Sequence, residues 1–218
     1  MLKYLLLLVY KDFLIELKSK SALGSIFLYM GSMIFVCYLA FDGAISDKIW
    51  NALFWIILLF TAFNSVLKSF IREDSDRYLY YFTLISPKTF INAKLIYNTL
   101  FLLCLAIMAF VIFMIFMGNV VANPSSFLIV LFAGVVGLSS VLTLMSAIAS
   151  KIRNNFTLVS ILSFPIILPQ LLILLNLSSM AIGGATIDMF YTDIIISVLI
   201  SFIAIGLSNI LFPYIWQE

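Results

Sequence analysis

The chain has 218 residues, 64% of them hydrophobic and 10% charged, with a net charge of +2. Soluble domains are nearer ~45–50% apolar and ~25% charged, so this composition describes an integral membrane protein with almost no room for a soluble domain. Histidine is absent, which removes the commonest transition-metal ligand, the usual general base and the usual haem ligand.

The first segment, Met1–Lys20, is too short in its apolar run to cross a bilayer, and Lys11, Asp12, Glu16, Lys18 and Lys20 follow that run. Leu2, Leu6, Val9, Phe13 and Leu17 can share one helical face, and Glu16 and Lys20 are spaced as a supporting pair. This predicts a helix lying in the membrane interface, with a simple anchor before the first span as the alternative. No small-residue cleavage site follows the run, so no removable leader is expected. Six spans then follow: Leu23–Phe41, Ile49–Phe70, Leu95–Met117, Phe127–Ser150, Thr157–Leu175 and Tyr191–Phe212. The expected fold is all-α, a single six-span membrane domain over 1–218 with a cytoplasmic segment at 71–88.

Charge orients these spans. Lys3, Lys11, Lys18, Lys20, Lys68, Arg72, Arg77, Lys88, Lys94, Lys151 and Arg153 fall on one side, and Lys48 alone on the other. The basic side is cytoplasmic by the positive-inside rule, which places both termini there. Cys37 and Cys104 lie in apolar runs and read as small fillers rather than a disulfide or metal pair.

The second connection holds most of the polar residues. Arg72, Glu73, Asp74, Asp76 and Arg77 carry mixed charge, and Tyr78, Tyr81, Phe82 and Ile85 then form one helical face ending at Pro87. An aromatic face beside charges suits a protein partner; it equally suits a helix with tyrosines at the headgroups. The three carboxylates are too close together to flank a substrate. No Walker-type glycine loop and no CxxCH haem-attachment motif occurs, so no catalytic constellation is visible and the chain is not expected to be an enzyme.

In the fourth span Ala133, Gly137 and Ser140 share a face, with Ser139, Thr143 and Ser146 beside it. Such residues serve close helix packing, with a polar translocation lining as the other reading. The fifth span, TLVSILSFPIILPQLLILL, carries Pro165 and Pro169. Each proline removes a backbone bond and crowds the preceding turn. A doubly broken span is therefore expected, either as a mobile part or as a structural kink. No convincing charge sits at mid-depth, which argues against an ion-coupled transporter.

Together the interfacial helix, the six spans, the segment Phe70–Pro87 and the serine-led, two-proline run Ser160–Pro169 resemble the B subunit family of the cytochrome c maturation haem exporter (CcmB). That family is the permease partner of an ABC-type ATPase. Leu211-Phe212-Pro213-Tyr214 is also similar to some members. The chain departs from the family pattern at Arg77-Tyr78, where many members carry a glycine nearby, and at Gln170, where an apolar residue is expected. The resemblance implies a bacterial inner-membrane location and a homodimer of this permease on a dimer of ATPase (A) subunits. It further implies association with a haem-handling C subunit and a small D subunit. ATP would be bound only by the ATPase. Haem would be a handled or transported ligand rather than a tightly held cofactor, and no nucleic-acid partner is expected.

Overall fold

The computed structural model describes residues 2–41, 45–71, 85–151 and 157–217. Among them the chain is helical, with one short 3-10 turn at Ile187–Met189 and no strand. The helices are α1 (Leu2–Lys18), α2 (Lys20–Phe41), α3 (Asp47–Ile71), α4 (Pro87–Met117), α5 (Pro124–Lys151), α6 (Thr157–Ile182) and α7 (Tyr191–Gln217). Six of them, α2 to α7, are long and apolar enough to cross a membrane. The protein is a multi-pass membrane protein.

α5 is the axis of the bundle. It packs on α3, α4, α6 and α7, and its composition explains why it can. A Cβ added at Gly134 would lie 2.4 Å from Cη2 of Trp55 on α3, and one added at Gly137 would lie 2.3 Å from Nε2 of Gln170 on α6. Lipid supplies no hydrophobic drive between helices, so such close backbone approach is what holds them. At one end Trp50 and Phe54 of α3 pack edge-on against Phe110 and Phe113 of α4 and Phe127 of α5. Nearby, Asn51 donates to the Leu175 carbonyl (2.9 Å) and Trp55 Nε1 donates to Ser178 Oγ (2.9 Å), tying α3 to α6.

Two expectations are corrected here. Pro87, expected to end an amphipathic helix whose residues 78–84 lie outside the described ones, opens α4. Ser86 is the N-cap, its hydroxyl accepting from Thr89 N (3.3 Å), and a proline in the first turn has no N–H to waste. α4 therefore starts eight residues before the expected Leu95 and runs to Gly118, whose φ of 78° ends it in a conformation glycine adopts freely.

The double break in the fifth span is also absent: α6 is a continuous helix from Thr157 to Ile182 with Pro165 and Pro169 inside it. Both rings lie on the exposed side with Phe164, Leu168 and Leu172, where no neighbouring helix crowds them. The opposite side is anchored by fully buried Ser163, Ile167, Gln170 and Leu174.

α1 turns polar as well as apolar side chains inward. Leu8, Val9, Asp12 and Glu16 are buried, whereas Leu6 and Leu17 are exposed at 59% and 63%. In a membrane protein an outward leucine meets lipid at no cost, while an inward carboxylate is tolerated only where a cation or donor meets it.

Candidate functional site

The charged residues that α1 turns inward meet the mouth of the second connection. Asp12 Oδ2 lies 3.1 Å from Lys94 Nζ on α4, and both side chains are under 8% exposed, at 7% and 3%. Lys11 Nζ lies 3.0 Å from the other oxygen of Asp12. Lys94 also donates to the Ser69 carbonyl near the end of α3 (3.0 Å) and sits 5.8 Å from the ring centres of Phe70 and Phe90. Tyr97, one turn further along α4, donates its hydroxyl to Glu16 (3.1 Å) and receives Phe13 edge-on at 5.1 Å. One lysine therefore binds together three elements: α1, the last turn of α3 and the second turn of α4.

The sequence alone conceals this arrangement because Lys94 precedes the apolar run that looked like the third span. With α4 starting at Pro87, Lys94 lies inside the helix, about 10 Å along it at 1.5 Å per residue. This is a buried charge near one end of the span, not at mid-depth. Its desolvation is offset by a carboxylate, a carbonyl and two ring faces. A buried ion pair of this kind adds little net stability over a well-packed apolar pair. What it provides is a fixed relative position, since removing one partner strands the other.

In the chain, residues 72–84 lie between α3 and α4, the two helices that Lys94 joins. Arg72, Glu73, Asp74, Asp76, Arg77, Tyr78, Tyr81 and Phe82 lie outside the described residues. Ile85 is described: it is half-buried and packs on the cluster formed by Leu8, Val9, Ile26, Tyr97 and Phe101. The expected aromatic face thus has its last member seated against α1 and α4. Glu16 accepts from Tyr97; the expected Glu16–Lys20 pair rests on the Lys20 side chain, which lies outside those described.

The α5 residues are drawn together with partners on both sides. Ser139 shares a 2.5 Å hydrogen bond with Thr99, Thr143 Oγ1 accepts from Asn98 Nδ2 (2.9 Å), and Ser140 donates to its own helix at Gly137 O (3.0 Å). Ala133 and Ser146 are buried in the same helix. Gln170, which departs from the family pattern, closes the third side. It is fully buried, lies over Gly137, and donates to Ser197 Oγ on α7 at 2.7 Å. Gln170, Asn98 and Gly134 were not singled out for packing from the sequence. An amide within an apolar run was the available signal, since hydrocarbon leaves it only another helix to bond.

Both ends of the chain return to the clamp's end of the bundle. Phe90 of α4 stacks on Phe212 of α7 (5.7 Å, 7°) and contacts Trp216 (5.0 Å). Lys68 on α3 donates to Ser25 on α2 at 2.7 Å. α1, the C-terminal turns of α7 and the two helix ends flanking 72–84 are therefore neighbours.

The family model described as "CcmB protein" matches residues 3–212. No curated protein and no solved structure matches the chain.

Proposed function

The chain belongs to the CcmB family, the membrane component of a haem-export system in cytochrome c biogenesis, and on that premise we propose that it is the permease subunit through which a partner ATPase acts. ATP is bound and hydrolysed on the A subunit. Its motion enters through Arg72–Ile85, passes to α4 and α1 at the Lys94 clamp, and reaches the haem-handling C subunit and the D subunit through the spans. The permease works as a homodimer in the bacterial inner membrane with both termini in the cytoplasm. The outcome is haem export or release of a haem-loaded chaperone.

The observation that carries this reading is the clamp. A segment that delivers force must leave from a rigid base. Asp12, Lys94 and Ser69 O join α1, the last turn of α3 and the second turn of α4, the two helices between which residues 72–84 lie in the chain, through contacts of about 3 Å. The experiment is the double reversal Glu73→Lys with Asp74→Lys in cells that mature c-type cytochromes. The expected result is normal membrane insertion with loss of maturation. Full maturation would refute this entry point.

A second reading is a platform that transmits ATPase motion without itself conducting a substrate. The α5 packing favours it, because Ser139 and Thr143 spend their hydroxyls on Thr99 and Asn98 rather than lining an open path. A photoreactive haem analogue separates the two: labelling along α5 or α6 supports a conducting permease, and labelling confined to the partner subunits supports the platform.

A further inference from the structure

We infer that the crevice between α4 and α7 is a binding site for one anionic phospholipid, with its phosphate at Lys88 and one acyl chain laid along α4 as far as Leu103. This inference is independent of the haem-export reading and needs only that α4 and α7 cross the membrane.

Two hollows lie along this crevice. The outer one, about 330 Å³, is lined by Lys88, Asn209, Ile210, Pro213 and Tyr214. The deeper one, about 290 Å³, includes Asn92, Ile96, Leu100 and Leu103 of α4, with Phe132 of α5 and Ile205 of α7. Asn92, which lines the deeper hollow, and Asn209, which lines the outer one, exchange side-chain amide hydrogen bonds of 2.9 and 3.0 Å. On α4 the positions 88, 92, 96, 99, 100 and 103 form one stripe at helical spacing. Its chemistry changes in a fixed order: an ammonium, then amides, then apolar side chains. A phospholipid presents the same order from phosphate through ester carbonyls to hydrocarbon.

The dimensions agree. Lys88 to Leu103 spans about 22 Å at 1.5 Å per residue. One leaflet, half of a bilayer of about 40–45 Å with its headgroups, is about 20–22 Å thick.

Charge selects the lipid class. Lys88 is exposed, no acidic residue lines either hollow, and no carboxylate among the described residues pairs with it. Tyr214, 72% exposed, stands across the mouth, a position tyrosine favours at headgroup level. Asn92 uses one of its two amide hydrogens on Asn209, which leaves the other for an ester carbonyl. Ordinary boundary lipid would show no preference for headgroup and no dependence on Lys88.

The test is native mass spectrometry of the full-length purified chain during progressive delipidation, with phosphatidylglycerol and phosphatidylcholine of matched chains as probes. The expected result is one phosphatidylglycerol retained per chain, with phosphatidylcholine about tenfold weaker, because its choline cation offsets the phosphate charge beside Lys88. Lys88→Glu should abolish the preference, and Ile96→Trp, which fills the acyl end, should lower retention of both lipids. Inorganic phosphate should not compete. Equal retention of the two lipids, or a preference that survives Lys88→Glu, would overturn the inference. So would displacement by inorganic phosphate, which would mark a free-anion site. A melting temperature kept in both variants shows that lost retention is not lost fold.

Discussion

Lys94 and Asp12 are a buried pair in which each residue makes the other tolerable. Removing one partner of such a pair costs about 3–5 kcal/mol, whereas replacing both with apolar residues is far less costly. We therefore expect Asp12→Leu and Lys94→Met each to lower the melting temperature of the purified chain clearly, and the double variant to melt nearer the parent than either single one. Additive losses would show that the two residues do not act as a pair. If the clamp positions the second connection, the double variant should also be stable yet impaired in cytochrome maturation, because shape is kept while the charge that holds Ser69 O is gone. The glycines of α5 give a graded comparison. A methyl at Gly134 meets the rigid indole of Trp55, and one at Gly137 meets the end of the Gln170 side chain. Overpacking typically costs about 1–3 kcal/mol. Gly134→Ala should be the more damaging in a melting experiment, and Gln170→Ala should partly rescue Gly137→Ala. Failure of that rescue would mean Gln170 is not what limits the site.

Among the elements, α6 shows how a sequence rule is overridden by its surroundings. Two prolines four residues apart predict a break, yet the helix continues because both rings face outward and the inner face is pinned through Ser163, Gln170 and Ser178. Missing N–H groups at 165 and 169 deprive the carbonyls of Ile161 and Pro165 of their usual donors. Replacing both prolines with alanine restores those bonds and keeps apolar length, so insertion and melting should not suffer. If α6 must bend during transport, maturation of c-type cytochromes should fall in the same variant; unchanged maturation would make the prolines structural only. The existence and order of the spans were legible from apolar length alone, because hydrocarbon admits few other solutions. Their ends were less so. Pro87 and Lys94 looked like punctuation before a span and proved to be its first turns, since a Ser-Pro cap and a buried counter-ion let polar sequence enter the helix.

At the scale of the molecule, the parts agree on one direction of action. α1, the C-terminal turns of α7 and the helix ends at Ile71 and Pro87 gather at one end, and the Trp50–Phe113 aromatic cluster lies at the other. We propose the orientation that the sequence implies by its eleven basic residues on one side against Lys48 on the other. A cysteine at Ser125 should be labelled only from the periplasmic side and one at Asn154 only from the cytoplasm; labelling from one side would refute the topology. What the sequence carried about function lay in the family resemblance, on which the proposed role of Arg72–Ile85 rests. The clamp came only from folding, because Asp12, Ser69 and Lys94 are far apart in the chain. The central claim is that ATPase motion enters through this segment. It is tested most directly by crosslinking from a photoreactive residue at Tyr81, in the assembled complex, alongside maturation in the Glu73→Lys, Asp74→Lys variant. The account predicts a crosslink from Tyr81 to the ATPase subunit and a variant that inserts normally but matures no c-type cytochrome. A Tyr81 probe that labels only lipid, with full maturation in the double reversal, would contradict it.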